Sequence, residues 1–176
     1  MGFILVILFS CNNVSNKKSS STIDENLKTQ LTSYFNSLFN GENEKVTNYI
    51  YPALFEWADY EYADDDEYSR EAFINYFIDE MQLVMRYAES KNYDFGVDLK
   101  NITKRISYND QLIFLINTVL YMQKGSNRQE ILTEIVCISD DSGQSWRFIE
   151  KDDDNDIDQI LLLRFPLEIV NKIISN

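Results

Sequence analysis

The sequence has no histidine, only two cysteines, two prolines and five glycines among 176 residues. Without histidine there is no Ser-His-Asp triad, no Cys-His pair and no imidazole metal ligand. Two cysteines cannot build a disulfide framework, and no CxxC is present. Positive charge is also scarce. Lys plus Arg is 16 against 29 Asp plus Glu, a formal net charge of −13. That balance argues against nucleic acid as a partner, because phosphate contacts need clustered Lys and Arg. No apolar run approaches the ~20 residues of a membrane-spanning helix. No solenoid-type repeat is visible, and the length suits one domain with a real core.

What is present begins with an unbroken apolar run, Phe-Ile-Leu-Val-Ile-Leu-Phe at 3–9, closed by Ser10 and Cys11. Its length matches a short signal-peptide core. Leu8-Phe9-Ser10-Cys11 resembles the bacterial lipobox, with Leu three places before the cysteine and a small residue just before it. Phe9 is bulky for its place, and no Lys or Arg precedes the run, so the signal is unusually short or starts upstream. The resemblance implies removal of residues 1–10 and lipidation of Cys11. The partner would then be a membrane, reached through the lipid anchor, on the outer-membrane or periplasmic face of a bacterial envelope. Two acyl chains hold at about 0.8 kcal/mol per buried methylene. Val6 excludes an N-myristoyl signal. The competing reading is a buried N-terminal strand that ends in cysteine. Residues 11–21 read as a flexible polar tether.

The body, residues 22–176, reads as one α+β domain with helices first and strands afterwards. Thr22-Ile-Asp-Glu25 has the form of a capping box. Ile23, Leu27, Leu31, Phe35 and Leu38 then fall on one face of a helix that Gly41 stops. Val46, Tyr49 and Ile50 predict a second short helix, interrupted near Pro52. A third begins at Ser69, with Phe73, Phe77, Met81, Val84 and Ala88 as its apolar stripe. After Asn92 the period becomes two. Phe95, Val97 and Leu99 alternate, and so do Ile102, Ile106 and Tyr108 around Lys104. Turns at Asn109-Asp110 and Gly125-Ser126-Asn127 separate strands at 111–123 and 131–138, and Trp146 with Phe148 marks a fourth. The predicted fold is therefore N-terminal helices packed on a curved antiparallel four-stranded sheet. C-terminal helices follow at 157–165 and 166–174, the second entered through Pro166.

This order of elements resembles the nuclear transport factor 2-like, or cystatin-like cone, superfamily over about Ile23 to Glu150. The resemblance implies a bent sheet that wraps its helices around a pocket. Tyr49-Ile-Tyr-Pro-Ala-Leu-Phe55 and Ser145-Trp-Arg-Phe148 also look like small secreted lipoproteins of the Bacteroidota.

Four motifs bear on chemistry. Ser139-Asp-Asp141-Ser-Gly143-Gln-Ser145-Trp146 fits the Asp-box pattern. Asp and Ser side chains there bond turn amides, Gly takes the left-handed conformation and Trp packs over the hairpin. It occurs once, in a chain too short for a propeller, so Ser139, Asp141, Gly143 and Trp146 are expected to staple a hairpin. Asp152-Asp-Asp154-Asn-Asp156-Ile-Asp158 tempts a calcium reading, but an EF-hand loop wants Gly and Glu where Ile157 and Leu163 stand. It and Asp64-Asp-Asp-Glu67 read as solvated acidic loops. Cys137 sits among Ile and Val and reads as a buried small hydrophobe. Eleven Tyr and eleven Phe suit a core and a pocket, yet no spacing singles out a catalytic pair.

The sequence therefore predicts no catalytic residue, no cofactor and no metal site. It points to a lipid-anchored extracytoplasmic module that binds an unknown protein or a small apolar ligand. Two alternatives stay open: a small cone-fold hydratase or isomerase acting on an apolar ligand, and an inhibitory or structural partner of an envelope protein. A sizeable pocket holding an Asp or Glu with a raised pKa beside a Tyr would favour the enzyme, and a filled cone with an exposed aromatic patch would favour protein binding.

Overall fold

The computed structural model describes residues 20–151 and 156–175. The lipobox with Cys11, most of the polar tether and the acidic stretch 152–155 lie outside these residues. Four helices precede the sheet: α1 (Ser20–Phe39), α2 (Asn43–Tyr49), α3 (Pro52–Glu61) and α4 (Arg70–Ser90). The strands are β1 (Asp94–Tyr108), β2 (Gln111–Lys124), β3 (Asn127–Ser139) and β4 (Arg147–Lys151). They form one antiparallel sheet in the order β1-β2-β3-β4. Two short helices, α5 (Ile157–Leu162) and α6 (Leu167–Ile174), close the chain, with Pro166 as the N-cap of α6. The fold is α+β, as the run of helices followed by short-turned strands predicts.

Where the first half of β2, the second half of β3 and β4 meet, the sheet is buried on both faces, and residue parity shows how. Phe114 and Ile116 of β2, Ile135 and Cys137 of β3, and Phe148 of β4 pack with α1, α2, α3 and α4. Their odd-even neighbours, Ile113, Leu115, Val136, Ile138 and Ile149, pack instead against α5 and α6. This explains the continuous apolar run in β2: neither face is left for polar residues.

β1 is one strand with two bulges, between Leu99 and Ile102 and between Ile102 and Lys104. Each inserts one extra residue and so reverses the parity. Val97, Leu99 and Ile102 consequently face the N-terminal helices, while Ile106 and Tyr108 face the C-terminal ones. Lys104 lands on that second face, where its Nζ donates to the carbonyls of Lys172 and Ile173, each at 3.2 Å. A cation at the end of α6 also suits the helix dipole. The bulges bend the sheet and account for the break in alternation around Lys104. The tight β1–β2 turn has Asn109 and Asp110 both at positive φ (45° and 66°), as a two-residue hairpin requires.

Three helix expectations are corrected. α1 is already helical at Ser20, so Thr22 and Glu25 lie inside the helix and not at its entry. Tertiary contacts tie this stretch to the sheet. Ile23 packs on the core, and Asp24 accepts from Arg105 at 2.6 Å. Pro52 does not merely interrupt a helix but begins one. Tyr51 before it is extended (φ −68°, ψ 127°), which the proline ring imposes, and α3 follows as a separate element. The helix from Ser69 is thus the fourth, and its cap holds, with the Ala72 N–H donating to Ser69 Oγ at 3.0 Å. Its buried face is Ile74, Ile78 and Ala88. Phe77 and Val84, expected in the core, are exposed. α4 carries two adjacent apolar stripes, and the core takes the one centred on Ile74 and Ile78.

Candidate functional site

The second stripe of α4 forms a wall of a cavity of about 530 Å³. Phe73, Tyr76 and Phe77 line it from α4, and Tyr34 from α1. Leu54 and Trp57 come from α3, with Ile50 just before it. The floor is the edge of the sheet, Phe148-Ile-Glu150 of β4. The α3–α4 connection supplies the rim through Tyr62, Asp65, Glu67 and Tyr68.

Local chemistry puts each wall in place. The segment before α3 is laced to the edge strand: Ile50 bridges Phe148 in parallel, and the Tyr51 N–H donates to the Phe148 carbonyl at 3.1 Å. That contact covers part of the open edge of β4 and carries α3 over the cavity. The rim is tied down at Asp59 of α3. Its carboxylate accepts from the Tyr68 hydroxyl at 2.8 Å and from Arg70 Nε at 3.0 and 3.1 Å. The bonds from Arg70 first, then from Tyr68, hold the Asp59 carboxyl below its ordinary range. Burial and the bond to Asp59 push the Tyr68 phenol up to about 12. Arg70 also lies 5.6 Å over the Phe55 ring. Tyr62 stacks on Tyr68 with centroids 5.5 Å apart, and Asp65 accepts from the Glu67 N–H at 2.9 Å.

Deeper in, Tyr34 packs against Phe148 with ring centroids 5.4 Å apart. Burial, and secondarily the Glu150 carboxylate, push its phenol well above the ordinary value, so it stays protonated as a donor. The indole N–H of Trp57 is buried without a hydrogen-bond partner. The site thus presents aromatic faces, a neutral phenol and three carboxylates. Of the aromatics that line it, Tyr76 is 62 % exposed and Phe77 41 %. The cavity is open rather than filled, and the exposed aromatic patch lies at its mouth.

The Asp-box residues meet in one turn. Ser139 Oγ accepts from the Gly143 N–H at 2.8 Å and donates to Asp141 at 2.8 Å. Asp141 Oδ1 also accepts from the Gln144 and Ser145 N–H groups at 2.9 and 2.8 Å, and Oδ2 from Ser145 Oγ at 2.5 Å. Burial opposes the charge there, but the bonds from Ser145, Ser139 and Gln144 outweigh it and hold the Asp141 pKa at about 2. Gly143 has φ +83°, and a Cβ on it would lie 2.9 Å from Ile23 Cγ2. Trp146 is fully buried, 5.1 Å from the Phe114 ring. The turn also grips α1. Asn26 Nδ2 donates to the Gly143 carbonyl at 2.6 Å and Gln30 Nε2 to the Gln144 carbonyl at 2.9 Å. The Trp146 N–H donates to Gln30 Oε1 at 3.0 Å. Tyr34 stands one helical turn beyond Gln30, so this clamp sets the wall of the cavity.

The remaining motifs separate from the site. Cys137 is fully buried, and burial pushes its thiol well up. Among the described residues no group of three or more His, Cys, Asp or Glu could hold a metal ion. No helix among them is long and apolar enough to cross a membrane. Of the acidic run at 64–67, Asp65 and Glu67 line the cavity rim. All four residues of the run are exposed, as a solvated acidic loop predicts, and its place at a cavity is what the sequence does not show. The available signal was its neighbourhood, because Trp57, Tyr60, Tyr62 and Tyr68 crowd within a dozen residues of it. No protein-family model, curated protein or solved structure matches this chain.

Proposed function

We propose that the protein is a lipid-anchored binding module of a bacterial cell envelope, held to the membrane at Cys11, with the α3–α4 cavity as its ligand site. It takes a small, largely apolar ligand and releases it unchanged. The cavity carries this reading. Its volume lies in the roughly 300–1,000 Å³ range of small-molecule sites, and its walls are mostly apolar with a few convergent polar groups. The run of helices followed by an antiparallel meander supports placing the domain among the nuclear transport factor 2-like cones.

Two experiments test the two halves. Cys11→Ala should move the full-length protein from the membrane to the soluble fraction; retention on membranes would remove the anchor. For the cavity, Ala72 is exposed, lies on α4 and lines the mouth. Ala72→Trp should fill that mouth without touching the core. The neutral dye Nile red should bind the parent protein saturably and bind Ala72→Trp at least about tenfold more weakly. Equal binding in the two proteins would reject the site.

One observation favours the hydratase or isomerase reading as a second choice. The Tyr34 hydroxyl, a protonated donor, and the Glu150 carboxylate face the same cavity. A ligand extracted with the protein and recovered as a different compound after incubation would replace binding by catalysis. Recovery of the same compound keeps the binding reading.

A further inference from the structure

The cavity is apolar in bulk, but the charged residues among its described lining are all acidic. Asp65 and Glu67 stand at the rim and Glu150 on the β4 side. Among the described residues that line it there is no Lys and no Arg. The adjacent cation, Arg70, is engaged elsewhere, bonded to Asp59 and lying over Phe55. The uncharged walls are aromatic: Trp57, Tyr62, Tyr68, Phe73 and Tyr76. Aromatic faces carry negative quadrupole potential and attract cations, Trp most strongly. Carboxylates beside aromatic faces form a site that disfavours anions and gains from a cation.

We propose that the ligand is a small organic cation, an ammonium, quaternary ammonium or guanidinium group on an apolar body. This rests on the cavity being a binding site. The apolar body fills the space against Phe73, Leu54 and Phe148, and the charged head lies among the rings below Asp65 and Glu67. The volume of about 530 Å³ accommodates a whole molecule and would be left largely empty by one Lys or Arg side chain. The occupant is therefore a free small molecule and not the side chain of a partner protein. The net charge of −13 adds a field that concentrates cations near the surface.

The test is calorimetric titration of the detergent-solubilised full chain with two probes of matched shape. One is benzyltrimethylammonium, and the other is its uncharged carbon isostere, neopentylbenzene. The cation should bind at least about tenfold more tightly than the isostere. Added salt should weaken the cation alone. Asp65→Asn and Glu67→Gln should each weaken the cation about two- to fivefold and leave the isostere unchanged. Asp65→Asn keeps a side-chain oxygen to accept from the Glu67 N–H, and Glu67 is exposed, so neither change threatens folding. Equal binding of both probes would overturn cation recognition and leave the apolar binding site standing. Binding of neither probe would overturn both.

Discussion

Asp141 is the hub of the turn that clamps α1, and its removal should be costly in a pH-dependent way. Its carboxylate accepts four hydrogen bonds, from Ser139 Oγ, the Gln144 and Ser145 N–H groups and Ser145 Oγ. Bonds to a charged acceptor are worth about 1.5–3 kcal/mol each when isolated, but these share one partly exposed group and do not add. Asp141→Ala should therefore cost about 2–3 kcal/mol at pH 7. Part of that cost follows the charge. The pKa is about 2 in the folded protein against an ordinary 3.8. A depressed carboxylate pKa contributes stability that is complete above the unfolded value and disappears as pH falls through the folded one. After allowance for solvent screening the contribution is about 1–2 kcal/mol, lost between about pH 4 and pH 2. Urea unfolding of the parent and variant at pH 7 and pH 2 measures it. Other carboxylates titrate in both proteins, so the difference isolates Asp141. The gap in stability should shrink by about 1–2 kcal/mol at pH 2. A gap below about 0.5 kcal/mol at pH 7, or one of equal size at both pH values, would refute the ionised hub.

Two further changes probe the same packing. Gly143→Ala forces a side chain into a left-handed residue (φ +83°) and brings its Cβ to 2.9 Å from Ile23, so it should cost about 2–3 kcal/mol in urea unfolding. A loss under about 0.5 kcal/mol would show that the turn and α1 yield easily. Cys137 is fully buried with its thiol pushed up, so a maleimide should label it in denaturant and leave it unlabelled in the native protein. Rapid native labelling would contradict the packing of β3 against the N-terminal helices.

The elements that announced themselves in the sequence are those whose signals are local. Leu27, Leu31, Phe35 and Leu38 share a helix face because of spacing alone, and all four are buried. Ser69 is a cap by its own side chain, and the Asn109-Asp110 pair makes its turn unaided. What stayed hidden depends on contacts distant in sequence. The two bulges of β1 are defined only by register against β2, so Ile102 and Ile106 look alike in sequence yet face opposite layers. The docking of the first turns of α1 rests on Ile23 in the core and on Asp24 paired with Arg105 of β1. Phe77 fits a core stripe as well as Ile78 does, and only the packing of α4 decides between them. The cavity was illegible for the same reason, since its walls come from α1, α3, α4 and β4 at once. The Asp-box pattern gave the residues of the turn but not its grip on Asn26 and Gln30, which lie more than a hundred residues away.

The central claim is that an anchored protein carries a small ligand in the α3–α4 cavity. Native mass spectrometry of the protein extracted from its own membranes tests it most directly, with the parent and Ala72→Trp compared side by side. A chain that begins at an acylated Cys11 is expected in both samples. A small cationic, mostly apolar adduct is expected in the parent and should be absent from Ala72→Trp. An unacylated chain, or an adduct retained equally by Ala72→Trp, would contradict the claim.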